Sequence, residues 1–240
     1  MKVAYKTDTG KQRKQNEDSI LVDESLNIFL VADGLGGHQA GEVASNLAVK
    51  ECYKYLKQHL DKTKTHEDIS RLLTTSLMKA HDAIREKSMT DINLMGMGTT
   101  LIQMIIQGRK AYLCHVGDSR AYLLREGIKQ LTKNHTFESY ILEEEIMRRE
   151  YFPIHKLHIL TQAVGESEKI VPELKQVELE TEDALLLCTD GLTDMLSDRE
   201  IELIIRQHED DLNTAVDDLI KEANNKGGID NISVIIVKYE

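Results

Sequence analysis

Apolar positions along the chain follow a helical period in some stretches and an alternating or unbroken one in others. Val43, Ala44, Leu47, Ala48, Cys52, Tyr55, Leu56 and Leu60 share one helical face and predict an amphipathic helix over 41–60. Ile69, Leu72, Leu73, Leu77, Ala80 and Ile84 predict a second, with Thr65-His66-Glu67-Asp68 resembling a capping box at its start. From Thr99 the rhythm changes. Residues 99–107, 111–116 and 120–125 read as an antiparallel meander turned at Gly108-Arg109 and Gly117-Asp118-Ser119. A strand over 184–189 precedes a helix near 198–208, opened by a Ser197…Glu200 capping box. A helix near 212–225 then stops at Gly227-Gly228, and a last strand covers 232–237. Helix pairs after the early strands and before the last one, with antiparallel strands between, predict an α+β fold. Two packed, mostly antiparallel sheets would be flanked by pairs of helices, a four-layer αββα sandwich rather than a βαβ winding. Residues 135–159 keep neither period and read as a small flap insertion carrying a short helix.

Three acidic turns sit at the edges of apolar runs. Ile28–Ala32 leads into Asp33-Gly34-Leu35-Gly36-Gly37-His38, Ala184–Thr189 leads into Asp190-Gly191, and Gly227-Gly228-Ile229-Asp230-Asn231 precedes the last strand. A carboxylate at a strand end is held on rigid backbone, and several such ends can converge. Ligands that are all oxygen suit Mg²⁺ or Mn²⁺. One glycine-rich turn alone is weak evidence, since glycine serves any sharp strand-to-helix connection. Three in one chain make a divalent-metal site the reading to test.

Composition narrows the classes. A length of 240 residues fits a single domain, 1–240, with a sizeable core. The balance of 30 basic against 41 acidic residues, a net charge of −11, argues against nucleic acid as a partner. No run approaches the roughly 20 apolar residues of a membrane helix, and no charged-then-apolar signal pattern opens the chain. Cys52, Cys114 and Cys188 are few and lie in apolar contexts, so buried thiols are expected rather than disulfides. A cytoplasmic, monomeric protein fits these features.

The motifs gain meaning from their order. Arg13…Asn16-Glu17-Asp18, Ala32 through His38, Gly98-Thr99-Thr100, Val116-Gly117-Asp118-Ser119-Arg120, Leu160-Thr161, Thr189-Asp190-Gly191 and Gly228-Ile229-Asp230-Asn231 follow one another along the chain. Together they resemble the motif set of the metal-dependent serine/threonine protein phosphatases, type 2C, in their compact bacterial form. The resemblance runs from about residue 4 to residue 238. It implies hydrolysis of phosphoserine and phosphothreonine on protein substrates, in opposition to a serine/threonine kinase. It also implies a two-ion Mn²⁺ or Mg²⁺ site, with a third ion in some members.

Carried over residue by residue, the resemblance makes Asp33, Asp190 and Asp230 the catalytic carboxylates. Asp33 would bridge the ions, Gly34 would lend its carbonyl, and Asp190 and Asp230 would complete the first ion. Either Glu17 or Asp18 would reach the second ion. Asp118 would hold the third, or else simply cap its turn. Arg13 would grip the substrate phosphate with its planar fork. Some relatives carry a histidine two residues after the bridging aspartate as a proposed acid; Leu35 stands there instead. His38 lies close by, as a catalytic or substrate group or as a helix-entry hydrogen bond. Gln162 and Ile154-His155 depart from the family's usual flap residues, which leaves substrate preference open.

Two other readings compete. Cys114 and Arg120 have the Cys-x₅-Arg spacing of cysteine phosphatases, but Cys114 lies inside an apolar strand and Asp118 would repel an anion. An Asp-x-Gly-x-Gly element also occurs in the ATPase domains of histidine kinases, yet no second glycine-rich lid follows.

Overall fold

The computed structural model describes residues 1–36, 40–63, 65–143 and 157–240. Its strands are β1 (Lys2–Asp8), β2 (Asp18–Asp23), β3 (Ile28–Leu35), β4 (Gly98–Thr99), β5 (Leu101–Gln107), β6 (Lys110–Val116), β7 (Arg120–Leu124), β8 (Ile128–Gln130), β9 (Glu173–Glu178), β10 (Ala184–Cys188) and β11 (Ile232–Lys238). Its helices are α1 (Ala40–His59), α2 (His66–Thr90), α3 (Phe137–Glu143), α4 (Asp190–Thr193), α5 (Asp198–Gln207) and α6 (Leu212–Asn225). One sheet runs β1-β11-β10-β7-β8 and the other β2-β3-β5-β6-β9, with β4 paired to β3. Every pairing among the described strands is antiparallel.

Alternation along the strands builds the layers. In β3, Phe29 and Val31 point between the sheets, where they meet Ile102, Met104, Leu185, Leu187, Ile235 and Val237. Ile28, Leu30 and Ala32 point the other way, onto α1 and α2 through Ala44, Cys52, Leu56, Leu73 and Leu77. The outer face of the first sheet, with Leu186, Val234 and Ile236, packs on Ile201, Ile205, Leu219 and Ile220 of α5 and α6. Central strands buried on both faces therefore read as unbroken apolar runs. Each such side chain contributes about 1.5–3 kcal/mol of transfer free energy. The αββα sandwich is as expected.

Both anticipated capping boxes form: Thr65 with Asp68 at α2, and Ser197 with Glu200 at α5. The expected 99–107 strand is broken at Thr100, where the short β4 leaves β3 and β5 begins. β1, β2, β8 and β9 were not placed by periodicity. β1 buries only Ala4, and β9 buries none of its residues. The first acidic "turn" is also corrected: β3 continues through Asp33 and Gly34 to Leu35, because Gly34 and Leu35 pair with Thr99 and Gly98. Of the flap, α3 is described, whereas Ile154 and His155, and His38 in the turn after β3, lie outside the described residues.

Candidate metal and phosphate site

Antiparallel order brings the ends of β3, β6 and β10 and the starts of β2, β7 and β11 to one end of the sandwich. Asp33, Asp118, Asp190, Asp18 and Asp230 lie at those ends. Asp33 is fixed on both sides of its peptide. Its N–H donates to Thr100 Oγ1 at 2.9 Å, and its carbonyl accepts from Thr99 Oγ1 at 2.7 Å and Thr100 N at 2.9 Å. Asp18 stands directly across the ladder from Asp33. Its Oδ2 accepts from the hydroxyls of Thr189 (2.9 Å) and Ser233 (2.7 Å). Asp190 opens α4, and its carbonyl accepts from Asp194 N at 2.8 Å. Asp230 Oδ1 accepts from Asn231 N at 2.8 Å, and Arg13 Nη2 donates to Oδ2 at 2.6 Å.

Glycines let the backbones meet here. A Cβ at Gly34 would lie 2.2 Å from the Gly41 carbonyl oxygen and 2.5 Å from that of Glu17, so only glycine fits. At Gly41 it would lie 2.8 Å from the Gly34 carbonyl oxygen and 2.9 Å from Glu17 Oε2. That small space joins two of the expected ligands. Asn231 ties the N-terminal loop to the same place, accepting from Glu17 N at 2.8 Å and donating to the carbonyls of Thr9 and Gln15.

The electrostatics are those of carboxylates gathered without enough positive charge. Burial raises Asp33 well above the ordinary range, and Asp190, Asp18 and Asp118 push it further. Burial does the same to Asp190, reinforced by Asp118, Asp194 and Asp230. Asp18 is pushed up by burial to about 7 despite its two hydroxyl donors. Asp118 rises to about 6, again chiefly through burial, with Asp194 adding repulsion. Buried Oδ1 atoms of Asp18 and Asp190 have no partner among the described residues. Unpaired buried carboxylate oxygens are costly, and divalent cations satisfy them. This oxygen-only donor set fits Mn²⁺ or Mg²⁺.

From these aspartates a groove of 440 Å³ leads outward, lined by Asp118, Asp190, Asp194, Arg120, Thr132, Asn134, Ser139 and His158 among others. Asp194 was not singled out by sequence reasoning. It stands four residues after Asp190 across the turn of α4, a spacing that places both on one face. Burial raises it too, while His158 and Arg120 pull it back. Glu17 is raised mainly by burial, against the pull of Arg13. Among the described residues, Arg13, Glu17, Asp18, Asp33, Gly34, Asp118, Asp190 and Asp230 thus all lie at this end of the fold.

Cys114 is not part of it. The thiol is buried in β6, and burial pushes it up to about 12, which removes the thiolate a cysteine phosphatase needs. Among the described residues, one trio of donors lies within 4.8 Å: His115, His135 and Glu173. Its protons point the wrong way for a metal. Gly117 N (3.1 Å) and Gln162 Nε2 (2.9 Å) both donate to His135 Nδ1, so Nε2 keeps the proton. The Gln162 amide is oriented by Val171 N donating to its Oε1 at 2.8 Å. His115 Nε2 donates to the Lys133 carbonyl at 2.8 Å. Neither imidazole offers Glu173 a lone pair to share with an ion. Instead, His135 fastens the Gly117-Asp118 loop to the base of the flap, where Thr161 N donates to its carbonyl at 2.8 Å.

Comparison with known proteins identifies the family. The family model for protein phosphatase 2C matches residues 9–228. The serine/threonine phosphatase stp of Listeria monocytogenes serotype 4b is 36% identical, with 100% of this chain and 96% of that protein covered. The crystal structure of the Mycobacterium tuberculosis serine/threonine phosphatase PstP/Ppp superposes with a TM-score of 0.87 at 33% identity, covering 100% and 98% of the two chains. The PstP catalytic domain in complex with two manganese ions superposes at 0.84, also at 33% identity, covering 99% and 97%. The chain belongs to the protein phosphatase 2C family of metal-dependent serine/threonine protein phosphatases.

Proposed function

We propose that this phosphatase acts on phosphoserine and phosphothreonine through one set of residues at the open end of the sandwich. The observation that carries the assignment is the cluster of buried, mutually repelling aspartates with partnerless oxygens beside the groove. Asp33, Asp190 and Asp230 would hold one Mn²⁺ or Mg²⁺, with Asp33 shared. The Gly34 carbonyl and Glu17, which converge around Gly41, would hold the other. That geometry favours Glu17 over Asp18, whose Oδ2 is already held by Thr189 and Ser233. Asp118 with Asp194 would take a third ion at the groove floor.

Bound ions of this kind supply a water of lowered pKa and offset charge on the phosphoryl oxygens. The chain supplies the rest. Backbone bonds on both sides of Asp33 hold its carboxylate in place, so little reorganisation is needed as charge develops. Arg13 orients the phosphoryl group through its fork. Thr132, Asn134 and Ser139 offer hydrogen bonds to the substrate chain along the groove. Leu35 has no proton to give, so the leaving alkoxide is protonated by water or by another group.

The natural setting of this activity is the cytoplasm, with the chain acting as a monomer opposite a serine/threonine kinase. Among the described residues no helix is long and apolar enough to cross a membrane, and the acidic net charge keeps nucleic acid away. Purified protein with Mn²⁺ is expected to release phosphate from a phosphothreonine peptide and to stop when EDTA is added. Undiminished turnover in EDTA would overturn the assignment.

A further inference from the structure

Arg13 does not wait free for a substrate. Its Nη2 donates to Asp230 Oδ2 at 2.6 Å, while Asn231 N occupies Oδ1 at 2.8 Å, so both oxygens of this expected metal ligand are already engaged. The guanidinium also acts on more than one carboxylate: it draws Glu17 and Asp18 down and is itself favoured by Asp230, Glu17 and Asp33. Its side chain is half exposed at 50%, so it can swing outward without opening the core.

We infer that Arg13 is the resident counter-cation of the metal site, paired with Asp230 until divalent ions arrive and then turned to the substrate's phosphoryl group. The inference rests on the site assignment above and adds a coupling to it. An ion drawing on Asp230 places a second, larger positive charge beside the guanidinium, and the two repel. The freed fork matches a phosphate in bidentate geometry. Coupling of this kind is reciprocal: whatever draws Arg13 outward must tighten ion binding by the factor by which ions favour the phosphoryl ligand. Metal loading and phosphate recognition would then be one linked event.

Calorimetric titration of the metal-stripped chain with Mn²⁺, alone and with phenylphosphonate as phosphate-monoester mimic, tests this. Arg13→Gln is expected to bind Mn²⁺ about tenfold more tightly than the unaltered chain, in the range of ordinary coupling between sites. Phenylphosphonate is expected to tighten Mn²⁺ binding to the unaltered chain and to Arg13→Lys by a larger factor than to Arg13→Gln, where only the direct attraction between ion and phosphonate remains; an equal factor in all three would overturn the exchange. Equal or weaker Mn²⁺ binding by Arg13→Gln would overturn the exchange alone, leaving the phosphatase site intact. Failure of the unaltered chain to bind Mn²⁺ would overturn both.

Discussion

Asp190→Asn and Asp33→Asn are expected to lose Mn²⁺-dependent phosphatase activity by about a thousandfold or more. Ions in such sites lower the barrier by several kcal/mol, and each 1.4 kcal/mol or so is tenfold in rate. The same substitutions are expected to stabilise the protein in EDTA. Both carboxylates are buried, and their neighbours Asp18, Asp118, Asp194 and Asp230 only add repulsion. A neutral amide of the same shape removes that repulsion and can donate to a neighbouring carboxylate. A gain of about 1–2 kcal/mol, or about 2–8 °C in melting temperature for a chain of this size, should follow. The paired outcome, less activity and more metal-free stability, distinguishes lost ligation from a damaged fold. Thermal melts in EDTA beside phosphate-release assays in Mn²⁺ measure both halves.

The second large effect is in pH. Asp18 at about 7 and Asp33 and Asp190 well above the ordinary range all have folded values raised above their unfolded ones. Groups raised in this way contribute stability that is present below the unfolded value, near 4, and lost as pH rises through the folded value. Each proton the folded state retains costs about 1.4 kcal/mol per pH unit climbed. His135 has the opposite sign. Burial lowers it to about 4, so its contribution is complete above its unfolded value near 6.5 and fades only in acid. Between pH 6.5 and 8 the aspartates therefore act unopposed. In EDTA the melting temperature should fall across that window by about 3–5 °C per pH unit for each proton the folded state retains. With Mn²⁺ present the trend should flatten or reverse, because ions bind the deprotonated carboxylates and displace their protons. A metal-free melting temperature that rises from pH 6.5 to 8 would contradict the charge distribution described here.

What could be read from the chain, and what could not, follows one physical line. Helices α1, α2, α5 and α6 announce themselves because each buries one stripe against a sheet. β3, β10 and β11 do so because both their faces are buried. β1 and β9 have mostly exposed side chains, and β1 exists through its seven-residue pairing with β11, some 230 positions away. No local window contains that information. Asp33, Asp190 and Asp230 were legible as carboxylates beside apolar runs. The hydroxyls of Thr189 and Ser233, which hold Asp18, were not, since their meeting depends on β10 and β11 of one sheet packing against the β2 edge strand of the other. Asp194 could have been found, because a carboxylate four residues from Asp190 on a helical turn shares its face. The convergence of the Gly34 carbonyl and the Glu17 carboxylate around Gly41 could not, for it brings two glycine backbones and a side chain together from three separate segments.

The central claim is that one oxygen cage at the end of the sandwich holds two ions around Asp33. Anomalous diffraction from crystals soaked in Mn²⁺ tests it most directly. Two peaks about 3.5–4 Å apart are expected, flanking Asp33, with Asp190 and Asp230 on one and the Gly34 carbonyl and Glu17 on the other. No peak at these aspartates, or Mn²⁺ bound only at His115, His135 and Glu173, would contradict it.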